Sequence, residues 1–132
     1  MVLDSIHSDK YLKIYGKSEV VFEEGTSGSE MYVIRSGRVR IYRNAEEGEM
    51  EIGILEPGEF FGEMALVDNS PRCASACALE DGTKLLALDK DKFLFLVSHQ
   101  PMFALMIMHV LCQKIRALDE SVFVPDVIHP LI

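Results

Sequence analysis

The middle of the chain alternates apolar and polar residues with a period of two, and short turn sequences interrupt this alternation. In the run RVRIYR, Val39 and Ile41 fall on one side and the charged residues fall mostly on the other. The same period returns after the turn sequence EEGE, at Met50, Ile52 and Ile54. Ser-Gly, Pro-Gly and Asp-Gly pairs mark further turns, because glycine tolerates positive φ and proline fixes φ. Short strands at this spacing, over about residues 18–89, predict an all-β barrel or sandwich.

Helical patterns flank the predicted strands. Residues 5–15 predict a short N-terminal helix. After the strands, Asp89 is suited to cap a helix over residues 92–99, since its carboxylate can accept hydrogen bonds from first-turn amides. Pro101 fits the first turn of a second helix that extends to about Leu118. The pattern therefore predicts strands in the middle of the chain and helices on both sides of them.

The second of these helices is apolar on more than one face. One apolar stripe consists of Phe103, Met106, Ile107, Val110 and Leu111. Much of the remaining surface is covered by Ala104, Leu105, Met108, Cys112 and Ile115. A helix that packs on a single sheet needs one apolar stripe, whereas a helix that is apolar nearly all round needs two buried faces. Either the helix lies deep in its own core or a partner covers the second face, and we favour a second subunit there.

Charge and cysteine content narrow the expected partners and compartment. The 132 residues include 13 basic and 21 acidic side chains, a net charge of −8, which disfavours binding to nucleic acid or to an anionic membrane. The longest apolar stretch, residues 102–112, is far shorter than the roughly 20 residues of a membrane span. The three cysteines form no CxxC pair, and the N-terminus lacks a charged-then-apolar signal pattern. We therefore expect a cytoplasmic protein without structural disulfides.

The sequence offers no residues for a metal centre or for common catalytic motifs. All four histidines lie outside the predicted strands, so no inward-facing cluster of histidine and glutamate ligands is expected. No Walker lysine follows Gly58 or Gly62, and no GxSxG sequence is present. We predict no catalytic residues and no metal, and an enzyme that acts on nucleotides remains the weaker alternative.

Residues 58–75 carry the most specific chemistry in the chain. Gly62 lets the backbone approach a ligand closely because it has no Cβ. Glu63 can accept hydrogen bonds from a vicinal hydroxyl, and Arg72 is a planar, permanently charged donor suited to a phosphate. The small residues 73–75 leave room for an anion against backbone N–H groups. Together these groups indicate a ribose phosphate ligand, although an isolated glutamate and arginine would also suit a structural ion pair.

The segment FGEMALVDNSPRCAS, residues 61–75, closely resembles the phosphate-binding cassette of the cyclic nucleotide-binding domain family. Bacterial catabolite activator proteins, cyclic-nucleotide-dependent kinases and cyclic-nucleotide-gated channels use this regulatory module. The run FEEGTSGSEMYVI, residues 22–34, and Gly37 resemble the family's first β-roll segment, and the resemblance covers roughly residues 8–118. It implies a mainly β fold with flanking helices: a β-roll or jelly-roll double-stranded barrel with a helical N-terminus and two C-terminal helices.

The resemblance also implies a role for individual residues. Glu63 would receive the ribose 2′-hydroxyl and Arg72 would pair with the cyclic phosphate, while Ser75 would lie near the base and the phosphate. Backbone amides at Gly62, Ala65 and Cys73 would complete the cradle. The predicted ligand-binding set is Gly62, Glu63, Met64, Ala65, Arg72, Cys73 and Ser75.

The chain departs from the family pattern at two places. Thr26 and Ser29 occupy positions in the first segment that are commonly acidic, which is expected to alter loop details only. In the final helix, which caps the base in this family, Lys114 and Arg116 are both candidates, and no Ser/Thr pair follows them.

The resemblance implies a regulatory sensor that binds cAMP or cGMP as its ligand, uses no cofactor and repositions its C-terminal helix to signal to a downstream protein. We expect one domain over residues 1–132, with the β-roll at about 18–89, the C-terminal helices at about 90–118 and a short tail at 119–132. A homodimer through the C-terminal helix is expected. The fourteen residues after that helix contain no lysine or arginine, so neither DNA nor a membrane is an expected partner.

Two alternatives concern the function and the completeness of the chain. The same fold could serve as a structural interaction module that has lost nucleotide binding. The chain could also be part of a longer protein, which would place the output of the sensor elsewhere.

Overall fold

The computed structural model of the chain describes residues 11–121. These residues fall into two compact units, one that ends at Leu94 and one that begins at Phe95. The first unit contains every strand of the described chain, and the second contains most of the C-terminal helical sequence. The expectation of one domain over the whole chain stays a prediction.

The first unit is built from two antiparallel sheets of four strands each. One sheet has the order β1-β8-β3-β6, formed by Leu12–Tyr15, Thr83–Leu88, Met31–Ser36 and Phe60–Phe61. The other has the order β2-β7-β4-β5, formed by Val20–Phe22, Ser75–Ala78, Val39–Ala45 and Gly48–Leu55. A short helix, α1 (Glu63–Asp68), follows β6. The predicted mainly β roll with flanking helices is confirmed.

Both sheets contribute to the core of this unit. Ile34 and Leu85 come from one sheet, Val39 and Ala76 come from the other, and all four side chains are completely buried. Alternating residues of each strand point to the inner face of its sheet, where side chains of two packed sheets interdigitate. The apolar residues that recur with a period of two along the strands therefore form the interior of the roll.

The hairpin of β4 and β5 confirms the turn predicted from EEGE, but its apolar pattern leads to a different burial. Ala45 pairs with Gly48 across a two-residue turn. On β4, Val39 is buried and Ile41 packs against the core. On β5 the apolar side chains of Met50, Ile52 and Ile54 are exposed. The register explains this difference, because Ile54 pairs with Arg40 on the outer face of the sheet. Leu55, which pairs with Val39, is the β5 residue that packs against the core.

The helix predicted over residues 5–15 is wrong where the structure describes it. Leu12–Tyr15 form β1, which pairs antiparallel with β8 from Leu12 opposite Leu86 to Tyr15 opposite Thr83. Backbone pairing with a distant strand overrides the weak local helical pattern, as tertiary context often does. The roll therefore begins at Leu12 and not near residue 18, and residues 5–10 lie outside the described part of the chain.

The two C-terminal helices begin where the sequence predicts. In α2 (Lys90–His99) the Lys92 backbone N–H donates to the Asp89 carboxylate at 2.8 Å, which confirms the N-cap. The second helix, α3 (Pro101–Ser121), starts at Pro101 and ends three residues after the predicted Leu118. The prediction of a short tail from residue 119 is wrong for residues 119–121, which belong to α3 because the helix continues through them. The rest of the predicted tail, from residue 122 onward, lies outside the described part of the chain.

The two apolar faces of α3 differ in burial. Phe103 and Ile107, from the first stripe, are buried. Exposed apolar side chains on the same helix are Met102, Leu105, Met108 and Ile115.

By length and composition, no single helix among the described residues could cross a membrane, although α2 and α3 taken together would pass that test.

Gly37, in the turn between β3 and β4, provides a test of the fold. Its φ is +83°, and a Cβ at this position would lie 2.9 Å from the Thr83 Cα and overlap the Thr83 hydroxyl. Gly37→Ala should lose about 1–2 kcal/mol of unfolding free energy from the left-handed backbone. The overlap with a neighbouring strand should add roughly 1–3 kcal/mol.

Gly82→Ala is the matched control, because Gly82 has a φ of +73° with nothing within 4 Å of the added Cβ. Urea denaturation of both variants measures the difference. Equal losses for Gly37→Ala and Gly82→Ala would show that the contact with Thr83 contributes nothing.

Candidate anion-binding site

Arg72 lies between α1 and β7, and the loop between β2 and β3 holds its backbone in place. The Arg72 N–H donates to the Thr26 carbonyl at 2.9 Å, and the Arg72 carbonyl accepts from the Gly25 N–H at 2.7 Å. Gly25 has a φ of +82°, which favours glycine in this turn. The side chain that extends from this fixed backbone is 94% buried, since its exposed fraction is 6%.

The guanidinium of Arg72 has partners for its terminal nitrogens only. Nη2 donates to the Glu30 carbonyl at 2.8 Å and Nη1 donates to the Gly62 carbonyl at 3.2 Å. Within residues 11–121, the buried Nε has no hydrogen-bond partner. A buried donor without an acceptor is unfavourable by about 1–3 kcal/mol. The orphaned Nε therefore indicates a site for an acceptor beside Arg72.

Aromatic rings form the floor beneath this guanidinium. The Arg72 Cζ lies 4.1 Å from the centre of the Phe22 ring and 5.9 Å from that of Tyr32. Phe61 packs against both rings, with centroid distances of 5.8 Å to Phe22 and 5.3 Å to Tyr32. The electron-rich face of a ring attracts a cation. The rings hold the charge of Arg72 in place without using any of its hydrogen-bond donors.

Burial lowers the pKa of Arg72 from its ordinary value, and Tyr32 and Glu30 oppose that shift. Arginine nevertheless stays protonated at neutral pH. The site therefore presents a permanent positive charge in a desolvated environment, where an anion is bound more strongly than at the surface.

Two glycines from separate segments make room for the guanidinium. A Cβ at Gly28 would lie 2.6 Å from the Arg72 Cζ, and a Cβ at Gly62 would lie 2.8 Å from Nη1. Gly62 also has a φ of +81°. The sequence predicts that Gly62 admits a ligand, and the structure shows that it admits the arginine.

The segment after Gly62 forms α1, which the sequence analysis did not predict. Asn69 ends the helix with a φ of +58°, and its N–H donates to the Ala65 carbonyl at 3.1 Å. Glu63 is half-buried, Met64 is exposed and Ala65 is buried. The amides of these three residues occupy the first turn, where a helix has no internal acceptor for them. The structure thus brings Gly62 into direct contact with Arg72 and places the predicted Glu63, Met64 and Ala65 immediately after it.

The residues after Arg72 are tied to neighbouring strands. Cys73 is exposed, and its carbonyl accepts a hydrogen bond from Arg43 Nε at 3.0 Å. Ser75 is 1% exposed, and its hydroxyl accepts from the Glu24 N–H at 2.8 Å. The Ser75 hydroxyl therefore has a structural partner, and its contact with a ligand stays a prediction.

Both candidates for the base cap lie on α3, in the unit that begins at Phe95. Lys114 and Arg116 are exposed there. Their assignment to the base stays a prediction.

The sequence analysis missed the residues around Arg72 that come from β2, β3 and their loop, namely Phe22, Gly28, Glu30 and Tyr32. Besides its carbonyl contact with Arg72, Glu30 accepts hydrogen bonds on its carboxylate from Lys13 at 3.1 Å and from the Tyr32 hydroxyl at 3.3 Å. The available signal was the pair of glycines at 25 and 28, whose spacing in a short loop is compatible with the close approach of another segment. No group of three or more metal-ligating side chains occurs within the described residues.

Comparisons with known proteins place these features in context. The sequence model described as "Cyclic nucleotide-binding domain" matches residues 12–100. The cyclic AMP receptor protein of Thermus thermophilus is 38% identical over 108 residues, which cover 81% of this chain and 50% of the receptor. The chain thus spans about half the length of this curated relative.

Solved structures give similar matches. The crystal structure of the Thermus thermophilus catabolite activator protein has a TM-score of 0.75 at 32% identity, over 92% of this chain and 61% of that protein. The cAMP-bound form of the EAL enzyme Bd1971 has a TM-score of 0.60 at 40% identity, over 83% of this chain and 30% of the enzyme. The cGMP-bound form of that enzyme has a TM-score of 0.61 at 38% identity, over 83% and 29% of the two chains.

Tyr32 provides a pH-dependent test of the packing at the site. Burial, and secondarily the charge of Glu30, raise the pKa of the Tyr32 phenol well above its ordinary value near 10. A group whose pKa is raised by folding stabilises the fold below its unfolded pKa, and this contribution is lost as the pH rises above that value. The unfolding free energy should therefore fall with rising pH above about pH 10, and Tyr32→Phe should reduce that slope. Urea denaturation at several alkaline pH values measures it, and an unchanged slope in Tyr32→Phe would contradict the assignment.

Proposed function

The chain belongs to the cyclic nucleotide-binding domain family, and from that premise we propose that it acts as a regulatory sensor for cAMP or cGMP. The observation that carries the proposal is the buried guanidinium of Arg72, whose Nε has no partner among the described residues. The nucleotide is a ligand and not a cofactor, and no residue is assigned a catalytic role.

The cyclic phosphate fits the chemistry of Arg72. A phosphate oxygen accepts charge-assisted hydrogen bonds, which are roughly twice as strong as those to neutral carbonyls. Nη1 and Nη2 now donate to neutral carbonyls of Gly62 and Glu30, so an anion competes favourably for all three nitrogens. The net charge of −8 does not oppose this binding, because contacts in a partly buried site are little screened and dominate over distant charges.

The ribose is assigned to Glu63 by its position. Glu63 follows Gly62, whose carbonyl is bonded to Arg72 at 3.2 Å. The Arg72 guanidinium therefore lies beside the residue that precedes Glu63, which suits a ligand whose hydroxyl and phosphate are close together. The amides of Gly62, Ala65 and Cys73 are proposed to complete the cradle.

Both cAMP and cGMP are candidate ligands of this site. The Thermus receptor is named for cyclic AMP, and the EAL enzyme Bd1971 has been solved with each nucleotide. The chain covers only part of each of these proteins.

The output of the sensor is assigned to the C-terminal helix, which would signal to a downstream protein. A ligand shifts a conformational equilibrium only by its different affinity for the two conformations. We assign those conformations to two positions of α3. A structural module of the same fold without nucleotide affinity is the second candidate, and a calorimetric titration with cAMP and cGMP distinguishes the two.

A homodimer through α3 is part of the proposal. The side chains of Leu105, Met108, Cys112 and Ile115 are exposed and follow one another at spacings of three, four and three residues. This spacing is that of the a and d positions of a coiled-coil seam. The seam offers a second copy of the chain a continuous apolar stripe.

We also assign the protein to the cytoplasm, since its three cysteines are free thiols.

The roles assigned to Arg72 and Glu63 predict that the two residues contribute unequally to the free energy of nucleotide binding. Arg72 meets a desolvated charge, and loss of one partner of such a pair typically costs about 2–5 kcal/mol of binding free energy. Glu63 meets a neutral hydroxyl, a contact worth about 1.5–3 kcal/mol. Arg72→Ala should therefore weaken cyclic nucleotide binding more than Glu63→Gln, which keeps one acceptor oxygen.

A 2′-deoxy nucleotide provides the matched measurement for Glu63. It should bind the parent chain less tightly than the natural nucleotide, but lose much less affinity in Glu63→Ala, because the acceptor of the hydroxyl is gone. Calorimetric titration of each variant with each ligand, after a check of folding by circular dichroism, measures both effects. Unaltered binding by Arg72→Ala, or an unaltered deoxy penalty in Glu63→Ala, would show that the assignment is wrong.

The seam on α3 predicts the oligomeric state. Leu105→Asp or Met108→Asp introduces a charge at an apolar contact and should shift a dimer towards the monomer, measured by size-exclusion chromatography with light scattering. Gln113→Asp adds the same charge to an exposed position of α3 outside the seam and should leave the dimer intact. A parent chain that is monomeric at high micromolar concentration would contradict the proposed dimer.

A further inference from the structure

We propose that Arg43 of β4 is a positioning residue of the nucleotide site, which fixes the peptide between Cys73 and Ala74 without touching the ligand. This inference rests on the proposed function, because it assigns a role within that site. It starts from one hydrogen bond, in which Arg43 Nε donates to the Cys73 carbonyl at 3.0 Å.

The bond lies where the ladder between β4 and β7 ends. The last pair of that ladder is Tyr42 opposite Ser75, and β7 begins at Ser75. Beyond this pair, β4 continues to Ala45 alongside β5 only. Arg43 is the first residue of β4 past the ladder, and its side chain takes the carbonyl that the strand no longer reaches.

The neighbouring peptide on the other side of Cys73 is also fixed from outside the cassette. The Arg72 carbonyl accepts from the Gly25 N–H at 2.7 Å. In a planar trans peptide the N–H points opposite to the carbonyl. Gly25 therefore sets the direction of the Cys73 N–H, and Arg43 sets that of the Ala74 N–H. One of these two restraints comes from a side chain, so it is open to mutation.

Other hydrogen bonds hold this region together independently of Arg43. The Asn44 N–H donates to the Glu24 carboxylate at 3.0 Å, and the Glu24 N–H donates to the Ser75 hydroxyl at 2.8 Å. The loop between β2 and β3 is thereby tied to both β4 and β7. Removal of the Arg43 side chain should release one carbonyl and leave the fold in place.

A charged donor on a carbonyl also changes the amide of the same peptide. Hydrogen bonds polarise one another along a chain, so a guanidinium on the Cys73 carbonyl makes the Ala74 N–H a better donor to an anion. Arg43 is exposed and reaches the cassette from the outer side of the hairpin. Arg43 therefore acts on the ligand through this peptide. It sets the direction of the Ala74 N–H and increases the strength of that N–H as a donor.

The test compares Arg43→Gln with Arg38→Gln. Both substitutions remove one exposed arginine, Arg43 within β4 and Arg38 immediately before it. Arg38 pairs with Glu80 at 2.7 Å, at the opposite end of the strand from Arg43. Arg43→Gln should weaken cAMP binding about fivefold, which corresponds to the net contribution of roughly one ordinary hydrogen bond. Arg38→Gln should stay within about twofold of the parent, as expected for an exposed ion pair. Arg43→Lys keeps the charge without the planar donor and should recover part of the loss.

Phosphorothioate analogues supply a measurement that a purely structural role would not change. The two diastereomers of cyclic adenosine phosphorothioate carry sulfur on one or the other exocyclic position, and sulfur is a weaker acceptor than oxygen. If Arg43 orients an amide towards one of these positions, Arg43→Gln should change the ratio of the two dissociation constants by about threefold. A loss of stability alone would weaken both diastereomers equally.

The outcomes separate this inference from the proposed function. A parent chain that binds neither cAMP nor cGMP overturns the proposed function and this inference with it. Nucleotide binding by the parent, with equal affinities in Arg43→Gln and Arg38→Gln or with an unchanged diastereomer ratio, overturns the role of Arg43 alone. If Arg43→Gln does not fold, the same ratio measured on Arg43→Lys decides the question.

Discussion

The burial of one guanidinium governs the architecture around the cassette. A charged side chain loses its hydration when it is removed from water, so the protein must supply compensating contacts. For Arg72 these contacts come from two carbonyls and the ring of Phe22. Gly28 and Gly62 leave the space that it occupies. Separate segments of the roll thus converge on one side chain, and the position of each segment follows from it.

One feature of the arrangement around Arg72 does not stabilise the fold. The Nε of Arg72 is a buried donor that the described residues do not satisfy, and proteins tolerate such local conflicts mainly at functional sites. The ring of Phe22 contacts the guanidinium of Arg72 without using any of its N–H donors, so these donors stay available for hydrogen-bond acceptors. In this roll, the strands supply stability through the residues between the sheets, while Arg72 keeps one buried donor that the described residues leave unsatisfied.

Local signals in the sequence predict the parts of the structure that depend on neighbouring residues. The Asp89 cap, the start of α3 at Pro101 and the turn at EEGE are each determined within a few positions. Partners distant in sequence explain the failures, such as β1, which exists only through its pairing with β8. The cassette was found by its resemblance to a family, and the resemblance indicates Arg72 but not the ring of Phe22 beneath it. Contacts between residues fifty positions apart leave no periodicity to detect.

The exposed edge of β5 has a consequence for the behaviour of the protein in concentrated solution. Among the described residues this strand pairs with β4 alone, and it displays Met50, Ile52 and Ile54 to solvent. An open edge with apolar side chains is a template on which another strand can add. Repulsion between copies that each carry a charge of −8 opposes such stacking at low ionic strength. Colloidal stability should therefore be greatest in dilute salt and decline as salt screens that repulsion, which sets the buffer conditions for storage and crystallisation.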